Sequence, residues 1–205
     1  VGVGMFTWDP SYYGDGTALV ANEGTLAFNP SAGNAVVNQN ATLRIVGYGT
    51  YSRAISGAGN LEVAGNTIIL SGGINHTGTT TILSDGAAQI TRTGTLTNSI
   101  VNNGFLNLVS NSALTVSGNL SGTGSTSFEG TGTFTLTGNN SFDGYSGIGG
   151  GGVLVINQSS ALGGSGTFVI SNSSTLRISG GITLARPLSF SNVATLISES
   201  GNNTI

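Results

Sequence analysis

A short alternating phrase recurs along the chain: a small residue, often Thr, then an apolar, a polar and a second apolar residue, then Ser, Gly or Asn. Alternation with a period of two puts the apolar positions on one side of an extended segment, so each phrase reads as a half-buried β-strand. Instances are residues 25–29 (TLAFN), 42–47 (TLRIVG), 60–65 (NLEVAG), 105–110 (FLNLVS) and 113–118 (ALTVSG). Towards the other end come 133–138 (TFTLTG), 153–157 (VLVIN), 167–172 (TFVISN), 175–180 (TLRISG), 182–186 (ITLAR) and 187–192 (PLSFSN).

The separators are too short to hold a crossover helix, which parallel strands of an open sheet would need. An antiparallel sandwich and a parallel β-helix remain. Two-residue hairpin turns should punctuate an antiparallel sheet, yet the candidates Asp15-Gly16, Asp85-Gly86 and Asn103-Gly104 are outnumbered by Ser-Gly, Thr-Gly and Gly-Gly corners. A longer repeat points the same way: residues 67–78 (TIILSGGINHTG) match 133–144 (TFTLTGNNSFDG) at a constant offset of 66. Three coils of roughly 20 to 23 residues would give that offset, on the order of nine or ten coils in all, in a rod roughly 45 Å long.

The fold expected is therefore all-β, a right-handed, single-stranded parallel β-helix. Inward Leu, Ile, Val and Phe fill it, outward Thr, Ser and Asn form ladders between coils, and Gly and Asn turn the corners. Residues 1–50 are expected to be N-terminal coils or a cap with an aromatic start, and 51–205 one continuous repeat-containing solenoid.

Composition sharpens this picture. Only 6% of the 205 residues are charged and 35 are Gly, against a usual quarter charged and about 7% Gly. Lys is absent, which removes the usual surface of a helical protein. The five cations, Arg44, Arg53, Arg92, Arg177 and Arg186, lie far apart in the sequence, whereas nucleic-acid binders cluster positive charge, so no nucleic-acid partner is expected. Zero Cys excludes a disulfide framework and thiolate metal sites. No stretch approaches the eighteen or so apolar residues of a membrane-spanning helix, so no membrane contact is expected within this segment. The chain begins at Val1 without a leader and stops at Ile205 without a turn or cap, as a fragment or mature piece of something longer would.

The repeats resemble the passenger-associated transport repeat of autotransporters, the type V secreted proteins of Gram-negative bacteria. In that family a glycine-spaced lead-in runs into Thr-Leu-x-Leu-Ser-Gly, then an Asn-x-aromatic-x-Gly turn and a Thr-rich strand. Residues 133–144 fit best, with Asn140 and Phe142 filling the turn; in the first unit Asn75 is shifted by one and His76 takes the aromatic place. Residues 161–190 are similar to the segment that follows the repeat in large passengers, including its Ile-Thr-Leu-Ala-x-Pro-Leu phrase, and 201–205 (GNNTI) resemble the lead-in to another unit. Gly149-Gly150-Gly151-Gly152 departs from the Thr-rich transition, and residues 1–205 include no outer-membrane barrel or its terminal aromatic, as truncation would leave them. The resemblance spans roughly 53–205. It implies a cell-surface or secreted passenger outside a Gram-negative outer membrane, tethered to a barrel in the full protein. Passengers that share it include adhesins, self-associating proteins, proteases and stalks.

The chemistry-bearing residues are few. Eight carboxylates are scattered along the chain, of which Glu62 and Glu129, 67 apart, are candidates to align for acid–base work. His76, the one imidazole, could join Asp85 and a Ser in a triad, but its place in the turn phrase favours a corner filler. The Gly149–Gly152 run lacks the Lys of a phosphate loop and reads as a flexible or closely packed corner. Near the start, Trp8, Tyr12 and Tyr13 could contact a glycan or a partner, or cap the open end of the solenoid. No catalytic, cofactor or metal residues are assigned. The function expected is a non-catalytic structural or adhesive rod, with glycans or proteins of host or bacterial surfaces, or copies of itself, as partners. A filament subunit stacking head to tail and a carbohydrate-active β-helix enzyme are the alternatives.

Overall fold

The computed structural model describes residues 34–205, together with the backbone of strands Phe6–Thr7, Leu19–Ala21 and Gly24–Phe28. Every strand pairing is parallel, and each strand pairs with strands one coil away rather than with its neighbour in sequence. The chain is a parallel β-solenoid with about eight turns, and the described residues contain no helix. Leu106 pairs with Thr126 and Thr126 with Ser146, a coil of 20 residues. These pairings are the same for either hand of winding; the expected right hand rests on the twist preference of parallel crossovers.

Each coil presents up to three strands, giving the rod three faces. The first face stacks Gly24–Phe28, Ala41–Val46, Asn60–Ala64, Thr80–Ile82, Ile100–Asn102 and Leu120–Ser121. The second is a sheet of eight strands from Gly49–Tyr51 to Leu188–Phe190. The third begins as Leu19–Ala21, Ala35–Val37 and Ile55–Gly57 and extends by a bridge from Ile55 to Ile74. It resumes one coil later as six strands from Gly94–Leu96 to Thr195–Ser200.

Strand alternation delivers the core directly. Leu43, Leu61, Ile100 and Leu120 stack on the first face, Leu70, Ile90, Leu108, Phe128, Ile148 and Ile170 on the second, and Leu114, Phe134, Leu154 and Leu176 on the third, all buried. They belong to one continuous hydrophobic cluster running along the rod, each large side chain contributing roughly 1.5–3 kcal/mol of burial. Phe128 packs edge-on to Phe134 at 5.6 Å, tying the second face to the third.

Corners need backbone that most residues resist. Gly122 has φ +100°, and a Cβ there would lie 2.1 Å from the Asn102 carbonyl oxygen of the coil below, so stacking forbids a side chain as firmly as conformation does. Asparagines at the corners tie coil to coil by accepting backbone N–H groups one coil on. Asn60 Oδ1 accepts from Thr79 at 3.0 Å, Asn111 Oδ1 from Thr131 at 3.1 Å and Asn119 Oδ1 from Asn139 at 2.8 Å. The expected polar ladders thus run largely from side chain to backbone.

Two expectations need correction. The offset of 66 is not three coils in phase: Thr67–Leu70 lies on the second face and Thr133–Leu136 on the third. Three coils of 20 leave a remainder of about one face, so the two similar phrases are rotated about the axis relative to each other. Residues 182–186 form no strand; Ile182 and Leu184 are buried in alternation, but Thr183 makes only an isolated bridge, to Thr204.

Candidate functional site

The structure separates the residues that a catalytic reading would join. Glu62 points outward from the first face and is held by Arg44 one coil below, with Arg44 Nη2 2.6 Å from Glu62 Oε2. Glu129 lies on the second face, where Ser127 Oγ donates to its Oε1 at 2.9 Å. Different faces preclude an alignment of the two acids for acid–base work and leave the reading as solvated ladder residues. Trp8, Tyr12 and Tyr13 lie outside the described residues. Among the described residues no group of three or more potential metal ligands converges, and no helix is long and apolar enough to cross a membrane.

His76 is 1% exposed, with Nε2 3.1 Å from Thr80 Oγ1, also buried. Its Nδ1 has no hydrogen-bond partner, so no carboxylate orients the ring and the triad with Asp85 is not assembled. Burial pushes the imidazole down to about 4, opposed more weakly by the nearby backbone carbonyl of Thr79, so the ring is neutral at pH 7. His76 sits where the third face breaks. Asn98 donates to the His76 carbonyl and Arg92 Nη1 to the Ile74 carbonyl at 3.3 Å, so side chains span the interval between the two sheets. Asn98 Oδ1 and Arg92 Nε are buried there without a partner.

A second buried polar centre was not anticipated. Arg186, 3% exposed, enters the corner between the first and second faces and reaches two coils back. Nε donates to the Gly166 carbonyl at 2.6 Å; Nη1 donates to the carbonyls of Leu162 and, at 3.3 Å, Phe142; Nη2 donates to the Gly144 carbonyl at 3.0 Å and to Ser146 Oγ at 3.1 Å. The guanidinium also lies 5.0 Å from the centre of the Phe142 ring and 5.6 Å from that of Phe168. Its pKa is lowered by burial, an effect opposed by Asp143. Asp143 is itself held below the usual carboxylate range, first by hydrogen bonds from Ser165 and more weakly by Arg186. A signal for this centre exists in the sequence: Ile182, Leu184, Arg186 and Leu188 share one alternation phase, which puts the arginine inward.

The same corner carries polar groups in earlier coils. Asn102 Nδ2 bonds the Ser125 carbonyl at 2.8 Å and Thr126 Oγ1 at 3.2 Å, and Ser146 is fully buried beneath Arg186. On the first face, Asn140 accepts from Leu120 N at 2.8 Å and donates to the Ala161 carbonyl at 2.7 Å. These contacts hold coils together by satisfying backbone that no strand pairs. Gly149–Gly152 is a closely packed corner: a Cβ on Gly149 would lie 2.9 Å from Glu129 Oε2, and one on Gly152 2.6 Å from the Gly130 carbonyl oxygen.

Outside, the second face carries a half-open depression of about 160 Å³. Its floor follows the register Ser127, Gly147, Val169, with a residue that has no side chain in the middle. Phe105 and Tyr145, 44% and 70% exposed, stand along one side and Glu129 on the other. Sequence reading missed this depression because its lining comes from four coils. Compared with known proteins, the chain matches no family model, no curated protein and no solved structure.

Proposed function

We propose that this chain is a non-catalytic structural or adhesive rod of the bacterial cell surface, a passenger segment of the kind its repeats resemble, displayed outside a Gram-negative outer membrane. The observation that carries this reading is the division of labour within each coil. Inward positions form one continuous core, while outward positions are mostly small and uncharged, and corner asparagines tie each coil to the next. Such a build suits reach and rigidity rather than a cleft. The enzyme alternative needs a convergence of acids that the separate faces of Glu62 and Glu129 do not supply.

Labelling of intact source cells with an antibody against the rod tests the reading. Surface signal, lost on treating the intact cells with protease, is expected. A chain retained inside the cell, or one that cleaves a polysaccharide or peptide when purified, would contradict it.

A further inference from the structure

We propose that the depression on the second face is a binding site for one ring of a neutral pyranose sugar. The inference rests on the reading of the chain as an exposed rod, and names what one of its faces holds. Most outward positions of this sheet carry small or aliphatic residues, whereas Phe105 and Tyr145 set aromatic rings in the same column, two coils apart, with Ser125 between them. At roughly 4.8 Å per coil the two rings flank a space close to 10 Å along the axis. Neither ring enters the core, and both line the same depression.

The chemistry of the walls is two-sided, as a sugar is. A pyranose presents a face of C–H groups that stacks on an aromatic ring, and a rim of hydroxyls that donate and accept. Tyr145 offers the ring and a polar tip, and Phe105 a second ring. Across the floor, Glu129 offers a carboxylate able to accept from two neighbouring hydroxyls. Ser127 Oγ, donating to Glu129 Oε1 at 2.9 Å, fixes that carboxylate against the sheet. Ser171 adds a hydroxyl at the far rim. Gly147, where a Cβ would lie 2.5 Å from the Val169 carbonyl oxygen, keeps the floor bare, and Val169 closes the end.

The same residues set the selectivity. No Lys or Arg lines the depression and its one charge is negative, so sialylated, sulfated and uronic-acid sugars are disfavoured and neutral ones admitted. A single carboxylate is half of what glycoside hydrolysis uses, so the site binds without turnover. About 160 Å³ admits one ring and leaves the rest of an oligosaccharide in solvent, and such a contact becomes strong through many copies on one surface.

Saturation-transfer NMR of the whole chain with lactose, cellobiose, maltose and chitobiose, against sialyllactose and a sulfated disaccharide, tests the site. At least one neutral sugar is expected to bind, with the anionic ones weaker. Tyr145→Ala should weaken binding tenfold or more, and Glu129→Gln and Phe105→Ala severalfold. Val193→Ala, at an exposed position away from the depression, should leave binding unchanged. All four side chains point outward, and unchanged thermal melting of each variant separates loss of binding from loss of fold. Binding to no neutral sugar, preference for the anionic sugars, hydrolysis of the bound sugar, or full binding by Tyr145→Ala would each overturn the proposal. Cells that display the rod and adhere equally well with Tyr145→Ala would overturn this site while leaving the surface-rod reading intact; sugar binding by a chain found only inside the cell would do the reverse.

Discussion

The corner around Arg186 and the break around His76 solve the same problem in opposite ways. Both bury polar side chains where regular strand pairing lapses, and both use side chains to reach carbonyls of an earlier coil. At Arg186 a charged group meets four carbonyls, a hydroxyl and two aromatic rings, and all three of its nitrogens are bonded. At His76 the ring carries one bond, and His76 Nδ1, Asn98 Oδ1 and Arg92 Nε are buried without partners. A solenoid tolerates polar groups in its interior when they take over the hydrogen bonds of unpaired backbone. Where that exchange is incomplete, it is weakest.

The largest effect should come from emptying the satisfied centre. Arg186→Met keeps an apolar stem but strands the carbonyls of Leu162 and Gly166 and takes a second donor from those of Phe142 and Gly144, which keep Gly164 N and Ser146 Oγ, and should cost about 3–5 kcal/mol in denaturant unfolding. A loss under about 1 kcal/mol would mean that these carbonyls find other partners and that the contrast is illusory.

Acid should act on the other centre. His76 titrates near 6.5 unfolded and about 4 folded, so between those values the unfolded chain binds a proton that the folded chain refuses. The full stability is present above pH 6.5 and falls as pH drops, by about 3 kcal/mol at pH 4. His76→Phe, which places here the residue type found at Phe142 in the second unit, should remove that component of the pH dependence. An unchanged pH profile in the variant would show that His76 is not its source.

Two asparagines sharpen the comparison at smaller scale. Asn140→Ala leaves Leu120 N–H and the Ala161 carbonyl unpaired and should cost about 1–3 kcal/mol. Asn98→Ala removes one bond together with an atom that had no partner, and should cost about 1 kcal/mol or less. The reverse order would place the well-formed centre on the wrong side of the molecule.

Much of the fold was written in the alternation. Residues 60–65, 105–110, 113–118, 133–138 and 175–180 were read as strands, and the strands formed there are Asn60–Ala64, Phe105–Val109, Ala113–Val116, Thr133–Leu136 and Thr175–Ser179. A period of two is a property of the local chain and needs no partner to be seen. The phase between coils is not local: it depends on how many residues each corner consumes, which is why the matching phrases at Thr67 and Thr133 fall on different faces. The depression on the second face was illegible for the same reason, since Phe105, Glu129 and Tyr145 become neighbours only through the register. Arg186 was legible and overlooked, because its alternation phase pointed inward while its charge suggested solvent.

The most direct test of in-register parallel stacking is disulfide formation between engineered cysteines in a chain that has none of its own. Asn107 and Ser127 face outward and pair one coil apart, within the roughly 4.4–6.8 Å Cα spacing that a disulfide spans. Asn107→Cys with Ser127→Cys should oxidise to an intramolecular bridge in the folded protein, whereas Asn107→Cys with Thr115→Cys, on the third face, should stay reduced. Bridging of the second pair in place of the first would mean that neighbouring strands run in opposite directions, and the stacked solenoid would be wrong.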